Sequence, residues 1–521
     1  MPYFNLLDEP WLPVSLDDGR VIRVGLLDAF TRSSEISLLA ETAPPSLVAE
    51  YRLLLAILHR ALSATFPNGW KDRDRARWYR EGLPVDAVCK YLQTWRERFW
   101  LFHPEYPFMQ VAALATSQEL RDEKNHKPWM QIAIDCPDAN SPVIFEHSYY
   151  DDPRPISPHK VVSHLLGYFQ FAPAGTLRVL KESKPSKGAG KGGPLRKAAA
   201  LVALGDNLSE TLLLNLGKKD SSSDGDLPAW EKGKPELATL AKATLATGIN
   251  DRYTRQTRAV LFLKENGGCI EELLFASGLE LVNDDNAPDP MVVYDSKNKL
   301  ITFEEGRAMW RDLPVLISQR SGASVLNNAR NLHERNGIDS VTFYQPVLLM
   351  GMASGETGGA AKNARWRSER IEVPLSIKEN YDTHDTLSEL VEKAEKLHRE
   401  LEGLGKCMFA TSLIDPEKDR NLFSEAKNRF KSGDFGASYF SALEKRFPRL
   451  MDCLREGGLN AAVEKWNDGL RVASEQAWQQ LKFSMGFSAR SLRAQFKFEP
   501  QFYRILEEFC PAPQLEKGVD A

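Results

Sequence analysis

Nine histidines, His59, His103, His126, His147, His159, His164, His333, His384 and His398, are the first place to look for catalysis or metal binding in this sequence. None has a cysteine or a second histidine at ligand spacing, and HExxH is absent. The stretch FEHSYYDD, Phe145 to Asp152, gathers His147 with Glu146, Asp151 and Asp152. Such a set could hold a divalent ion and support metal-dependent hydrolysis. A polar loop beside packing aromatics explains the same residues more simply. GAGKGG, Gly188 to Gly193, has the glycines of a phosphate cradle but is followed by Pro194, without a Ser or Thr to hold magnesium. GMASGETGG, Gly351 to Gly359, lacks the lysine–hydroxyl pair as well, and there is no GxSxG elbow. No residue set is assigned to catalysis, and no cofactor or metal is expected.

Binding chemistry has better candidates. Lys181 to Lys197 carries six Lys/Arg and one Glu, a surplus of five positive charges: Lys181, Lys184, Lys187, Lys191, Arg196 and Lys197. Glycine lets backbone N–H groups approach phosphate, and the lysines add charge. A flexible, solvated linker is the plainer alternative. In GGAAKNARWRSER, Gly358 to Arg370, the cations Lys362, Arg365, Arg367 and Arg370 surround Trp366, a combination suited to backbone contact or stacking. Its plainer alternative is an amphipathic helix in which Arg367 or Arg370 pairs with Glu369 or Glu372. The loop DANSPVIF, Asp138 to Phe145, offers Asn140 and Ser141 as readers of the degenerate minor-groove pattern, or simply a turn.

At 521 residues the chain needs two or three domains, and its 42% hydrophobic and 26% charged composition is globular. A net charge of −4 is unusual for a free-standing nucleic-acid binder, so positive potential has to be local or supplied by an assembly. Six scattered cysteines without CxxC suit free thiols in a reducing cytoplasm. No apolar run is long enough to cross a membrane, and MPYFNLLDEP lacks the basic and apolar regions of an export signal.

The elements that position these residues follow from periodicity. WLPVSL and RVIRVGLLDAF flank Asp17-Asp18-Gly19 as a hairpin. Helices are predicted over 46–65, 85–102 and, capped by Ser157-Pro158, up to about Phe171. Residues 258–317 mix strands (RAVLFLKE, LELV, PMVVYD, KLITF) with a helix in GRAMWRDLPVLI. Beyond about Ser376 the pattern is almost wholly helical, over 386–404, 421–431, 437–454, 459–485 and 489–509, with four main helices. The fold class is therefore α+β, a large mixed α/β N-terminal domain over 1–375 followed by an all-α four-helix bundle over 376–521.

FNLLDEPWLPV at the N-terminus, HPEYPFMQ at 103–110, DPMVVY and MWRDLP within 289–314, and NARWRSERIEVPL occur in an order that resembles the CasA-type large subunits of type I-E CRISPR Cascade, over essentially the whole chain. The resemblance implies the same two-domain fold and a non-catalytic subunit of a crRNA-guided antiviral complex. Such a subunit recognises the PAM in double-stranded DNA, largely from the minor groove, promotes duplex opening and recruits a helicase–nuclease. It implies contact with the crRNA 5′ end and with the crRNA-end-binding, backbone and small subunits. Protein reading of a short tag with base pairing reading the rest is the division of labour of RNA-guided effectors. By position, ANSPVIFEH stands where the family has its PAM-proximal loop, placing Asn140 and Ser141 at DNA or crRNA. QFAPAG stands where the family has a glycine loop, placing Ala172, Ala174 and Gly175 there, with one glycine in place of several. SGETGGAAKN stands where the family has a duplex wedge; it is longer and lacks glutamine, and Lys362 or Asn363, or Glu356 and Thr357, take that place. The alternatives are a metal-dependent hydrolase around His147, Asp151 and Asp152, or a purely structural RNA-binding scaffold.

Overall fold

The structure is a computed structural model that describes residues 2–134, 154–174, 178–185, 192–217, 225–264, 268–282, 288–295, 297, 299–304, 306–318, 324–338, 343–353, 365–374, 381–415, 419–430 and 434–511. In chain order the elements are β1 (Tyr3–Asn5), β2 (Leu12–Leu16), β3 (Val21–Val24), α1 (Leu26–Thr31), β4 (Ile36–Leu39), α2 (Pro44–Thr65), α3 (Asp72–Glu81), α4 (Val85–Thr94) and β5 (Trp100–Phe102). There follow β6 (Lys127–Pro128), α5 (Pro158–Phe171), β7 (Ala200–Ala203), α6 (Leu208–Asn215), β8 (Lys242–Thr244), α7 (Ile249–Thr254), β9 (Arg258–Lys264), β10 (Ile270–Ser277) and β11 (Leu279–Leu281). Next are α8 (Leu313–Leu316), α9 (Ser324–Arg335), β12 (Tyr344–Ala353) and β13 (Arg365–Pro374). The rest is helical: α10 (Tyr381–Leu413), α11 (Arg420–Arg429), α12 (Asp434–Glu444), α13 (Phe447–Arg455), α14 (Leu459–Ser484) and α15 (Ala489–Phe509). The fold is α+β. Two compact units form, one from Met1–Met309, Val315–Ser340 and Tyr344–Val373, the other from Trp310–Pro314, Val341–Phe343 and Pro374–Ala521.

Small sheets and helices make up the first unit. The predicted hairpin is β2–β3, with Gly19 at φ +81°, and β4 adds to the other edge of β2. The FNLLDEPWLPV stretch is a buried corner. Leu6, Leu7, Trp11 and Leu12 are wholly buried, and the Trp11 indole donates to the Leu6 carbonyl at 3.1 Å. The Leu7 N–H bonds the Asn5 side chain at 3.0 Å. Gly25 permits this corner to close, since a Cβ there would lie 2.4 Å from the Leu7 carbonyl oxygen. The acids stay outside the core, and Asp8 pairs with Arg96 at the surface.

Three stretches read as helix, one of them only as an alternative, change character. Residues 85–102 break after Thr94, because Trp100 and Phe102 are drawn into β5 as partners for Asn5 and Tyr3 of β1. An edge strand satisfies its backbone that way, and aromatic residues suit a pleated surface. Residues 365–374, read with an amphipathic helix as one option, form β13 at the edge of the sheet β13–β12–β7. RAVLFLKE and LELV are strands as predicted, whereas PMVVYD contributes only isolated bridges, Val292 with Ala200 and Tyr294 with Leu300. The predicted helix in GRAMWRDLPVLI is a 3-10 turn over Met309–Asp312 followed by the four-residue α8.

In the second unit α10 packs on α11, α14 and α15, and α12 packs on α14. The helix predicted over 437–454 is divided into α12 and α13, with Pro448 in the first turn of α13. Trp466 and Trp478 centre the core. The Trp466 indole donates to the Leu390 carbonyl at 2.9 Å, and Trp478 stacks on Phe502 with ring centroids 4.6 Å apart. Trp310 of the MWRDLP stretch inserts beside Phe447 and Trp466, and Arg311 forms a bidentate pair with Glu395 at 2.6 and 2.7 Å while covering the Phe440 ring.

Candidate nucleic-acid interface

α5 is the element that organises the candidate residues. It starts at Pro158, where a missing N–H costs nothing, and packs along α2. Gly167 allows close approach, because a Cβ there would meet the Ser46 backbone nitrogen at 3.0 Å. The helix stops at Phe171 because Pro173 biases Ala172 to an extended conformation, φ −46°, ψ 132°. Ala172 is buried and Ala174 is exposed.

Helix C-termini leave carbonyls unpaired, and here the partners come from distant parts of the chain. The Phe169 carbonyl accepts from the Thr257 hydroxyl at 2.8 Å. The Gln170 carbonyl accepts from Leu195 N–H, and the Ala172 carbonyl from Gly193 N–H, both at 2.8 Å. Gly192 and Gly193, the end of GAGKGG, therefore lie directly on the end of α5. A Cβ on Gly193 would sit 2.4 Å from the Gln170 oxygen, and Gly192 has φ +90° with room for the Arg196 side chain. QFAPAG and the end of the glycine–lysine stretch, which follows it in the sequence, meet here.

The described flanks of the basic segment are anchored, which corrects the expectation of a flexible linker for them. Leu180 and Leu195 are buried. Glu182 accepts from Ser117 Oγ at 3.3 Å and from Gln118 N–H at 3.2 Å, and Ser183 Oγ donates to the Leu237 carbonyl at 2.8 Å. These bonds fix the backbone while Lys181, Lys184 and Lys197 stay exposed and Arg196 is half-buried. Three cations are thus displayed on an ordered base, and a charge held in place loses less side-chain freedom on binding than one on a loose tether.

Trp366 ties the third candidate stretch to the same place. Its ring meets Phe171 edge-on with centroids 5.6 Å apart, and its indole donates to the Ile134 carbonyl at 3.2 Å. Ile134 is the last described residue before the loop holding Asn140 and Ser141. Arg367, in contrast, is engaged by its own protein. It donates to the carbonyls of Arg307 at 2.7 Å and Glu304 at 3.3 Å, and it pairs with Glu369 at 2.5 Å. Arg365 lies in β13. Asn140, Ser141, Gly175, Lys187, Lys191, Lys362 and Asn363 lie outside the described residues, as do His147, Asp151 and Asp152 of the hydrolase alternative. Among the described residues no group of three or more His, Cys, Asp or Glu could hold a metal ion, and no helix is long and apolar enough to cross a membrane.

Beneath the turn lie charged residues that motif reading did not single out. Arg52 of α2, wholly buried, holds Asp289 with two bonds of 2.8 Å and donates to the Gln170 side chain at 3.1 Å. Gln170 in turn donates to the Tyr253 carbonyl at 2.9 Å. Arg258, also wholly buried, donates to the Pro173 carbonyl at 2.7 Å and faces Glu280 at 3.2 Å. Burial lowers the pKa of Arg258 and raises that of the nearby Tyr168 phenol. The sequence did hold a signal for the first pair. Glu50 and Arg52 sit in a helix whose neighbours are apolar on every side, and a charge in such a run requires an internal partner.

Residues 5–477 match the model of the CRISPR-associated protein Cse1 family. A CRISPR-associated protein CasA/Cse1 from Thermus thermophilus is 31% identical over 520 residues, 97% of each chain. The solved structure of Thermus thermophilus CasA (Cse1) superimposes with a TM-score of 0.79 at 30% identity, covering 98% of this chain and 100% of that one. A chain of a CRISPR RNA-guided surveillance complex shares the fold, with a TM-score of 0.72 at 20% identity over 96% of this chain and 100% of the other. A match of this length, spanning the α5 terminus, the sheet edge and the helical unit together, leaves one assignment: the chain belongs to the CRISPR-associated Cse1 family, also called CasA.

Proposed function

We propose that the chain is the large subunit of a crRNA-guided antiviral complex, that it recognises the PAM in target double-stranded DNA, and that it promotes duplex opening without catalysing a covalent step. The observation that carries this reading is the family match along the whole chain, together with a surveillance-complex chain of the same fold. The convergence of the α5 terminus, the Gly192–Gly193 pair and Trp366 supports it, since one stretch implied by the resemblance and two binding candidates singled out by composition share one support. In this reading Asn140, Ser141, Ala172, Ala174 and Gly175 face the PAM, Lys362 or Asn363 enters the opened duplex, and the cations of 181–197 meet phosphates. The region 1–375 carries PAM recognition and contact with the crRNA 5′ end. The remaining subunits hold the chain in place, which reconciles DNA binding with a net charge of −4. After opening, the subunit recruits the helicase–nuclease, in the cytoplasm.

Permanganate footprinting of a matched target tests the opening step. The complex reconstituted with this chain is expected to render protospacer thymines reactive on PAM-bearing DNA, and the complex lacking it is expected to leave them protected. Equal reactivity with and without the chain contradicts the proposal.

A further inference from the structure

Resting on the reading above, we infer that Arg258 is a positioning residue for PAM recognition: from inside the core its guanidinium holds the Pro173 carbonyl and fixes the turn Ala172–Ala174 in the shape offered to DNA. Pro173 has no N–H, so the turn cannot close on itself by donating from that residue. Its carbonyl is held by Arg258 Nη2 at 2.7 Å. Arg258 is itself oriented by two further contacts of Nη1, with the Thr257 carbonyl at 2.8 Å and with Glu280 at 3.2 Å. Both Arg258 and Glu280 are wholly buried. A planar guanidinium can make these bonds at once in one fixed orientation, which an ammonium cannot.

Stability alone is a poor explanation for this arrangement. A buried ion pair costs desolvation, and well-packed apolar side chains commonly serve the fold as well or better. What an apolar pair cannot do is hold a carbonyl at a defined point. The positive charge also lies at the C-terminal end of α5, where the helix dipole favours it. The opposite side of the turn is fixed by Gly193, whose N–H bonds the Ala172 carbonyl at 2.8 Å. The turn is thus clamped between a buried cation and a glycine backbone, with Ala174 exposed beyond it.

The test compares Kd for PAM-bearing and PAM-scrambled targets in the fully reconstituted complex. It uses the wild type, Arg258→Met/Glu280→Gln and Arg258→Lys. The double variant removes both charges, so no buried charge is stranded. It is expected to lower the PAM preference about tenfold or more, a loss comparable to one mismatched base pair. Its affinity for scrambled targets and its salt dependence are expected to stay unchanged. If the double variant fails to fold, Arg258→Lys decides, because it keeps the charge but not the simultaneous bonds; it too should lose preference. An unchanged preference in the folded variants overturns the inference. So does a parallel loss of affinity for both targets, which marks a purely structural role. A wild-type complex without PAM preference instead overturns the functional reading, and the inference with it.

Discussion

Glu50 occupies an unfavourable position for a carboxyl group. It lies inside α2, wholly buried, with one oxygen accepting from Ser163 Oγ at 2.7 Å and the other, Oε2, without a hydrogen-bond partner among the described residues. Burial raises its pKa well above the usual 4.5. The folded state therefore holds the proton more tightly than the unfolded chain does. This favours folding at low pH, and the advantage fades as pH rises from the unfolded value through the folded one. Glu50→Gln removes the titration. Melting curves of wild type and variant between pH 5 and 8 should show the wild type losing stability relative to the variant as pH rises, by up to about 1.4 kcal/mol per pH unit. A pH-independent difference contradicts this account. Residue type alone lists the cations of 181–197 and 362–370 but cannot say which are available. Arg367 looked like a ligand for phosphate and is engaged by two backbone carbonyls and Glu369, whereas Lys181, Lys184 and Lys197 are exposed.

At the scale of elements, α5 was legible because Ser157-Pro158 marks its start, apolar periodicity its length and Pro173 its end. Less legible were elements decided by a distant partner. Residues 100–102 join β5 because β1 lies beside them, and 365–374 form a strand because β12 offers an edge. Local pattern carries no record of such pairings. The glycine–lysine stretch is a similar case. Its composition signals looseness, yet Leu180 and Leu195 and the bonds from Ser183 and Gly193 anchor its described flanks. Lysines on a fixed base give a clear expectation. Replacing Lys181, Lys184 and Lys197 by alanine should weaken DNA binding by the reconstituted complex equally for PAM-bearing and scrambled targets. The slope of log K against log salt should shrink by about 0.9 for each phosphate that is no longer neutralised. An unaltered slope in a salt titration removes these lysines from the interface.

For the whole molecule, composition signalled a change to helix near residue 376, and the fold class α+β follows from it. It did not reveal that Trp310–Pro314 clusters with the C-terminal helices, because that depends on Trp310 finding Phe447 and Trp466 far along the chain. The stretches that carried the family resemblance are mostly architecture. Trp11 closes a corner, Gln110 bonds the Phe262 N–H at 2.9 Å, Asp289 receives Arg52, and Trp310 fills a core. These residues specify a scaffold, and the proposed DNA contacts are borne on turns that the scaffold supports, a common arrangement in binding proteins. The central claim is that this scaffold reads the PAM. Its most direct test is the equilibrium Kd of the reconstituted complex for targets differing only in the PAM, measured with and without this chain at one fixed salt concentration. The account predicts that the chain confers a preference of at least about tenfold for the PAM-bearing target, and that the complex lacking it binds both alike. Equal affinities in its presence contradict the account.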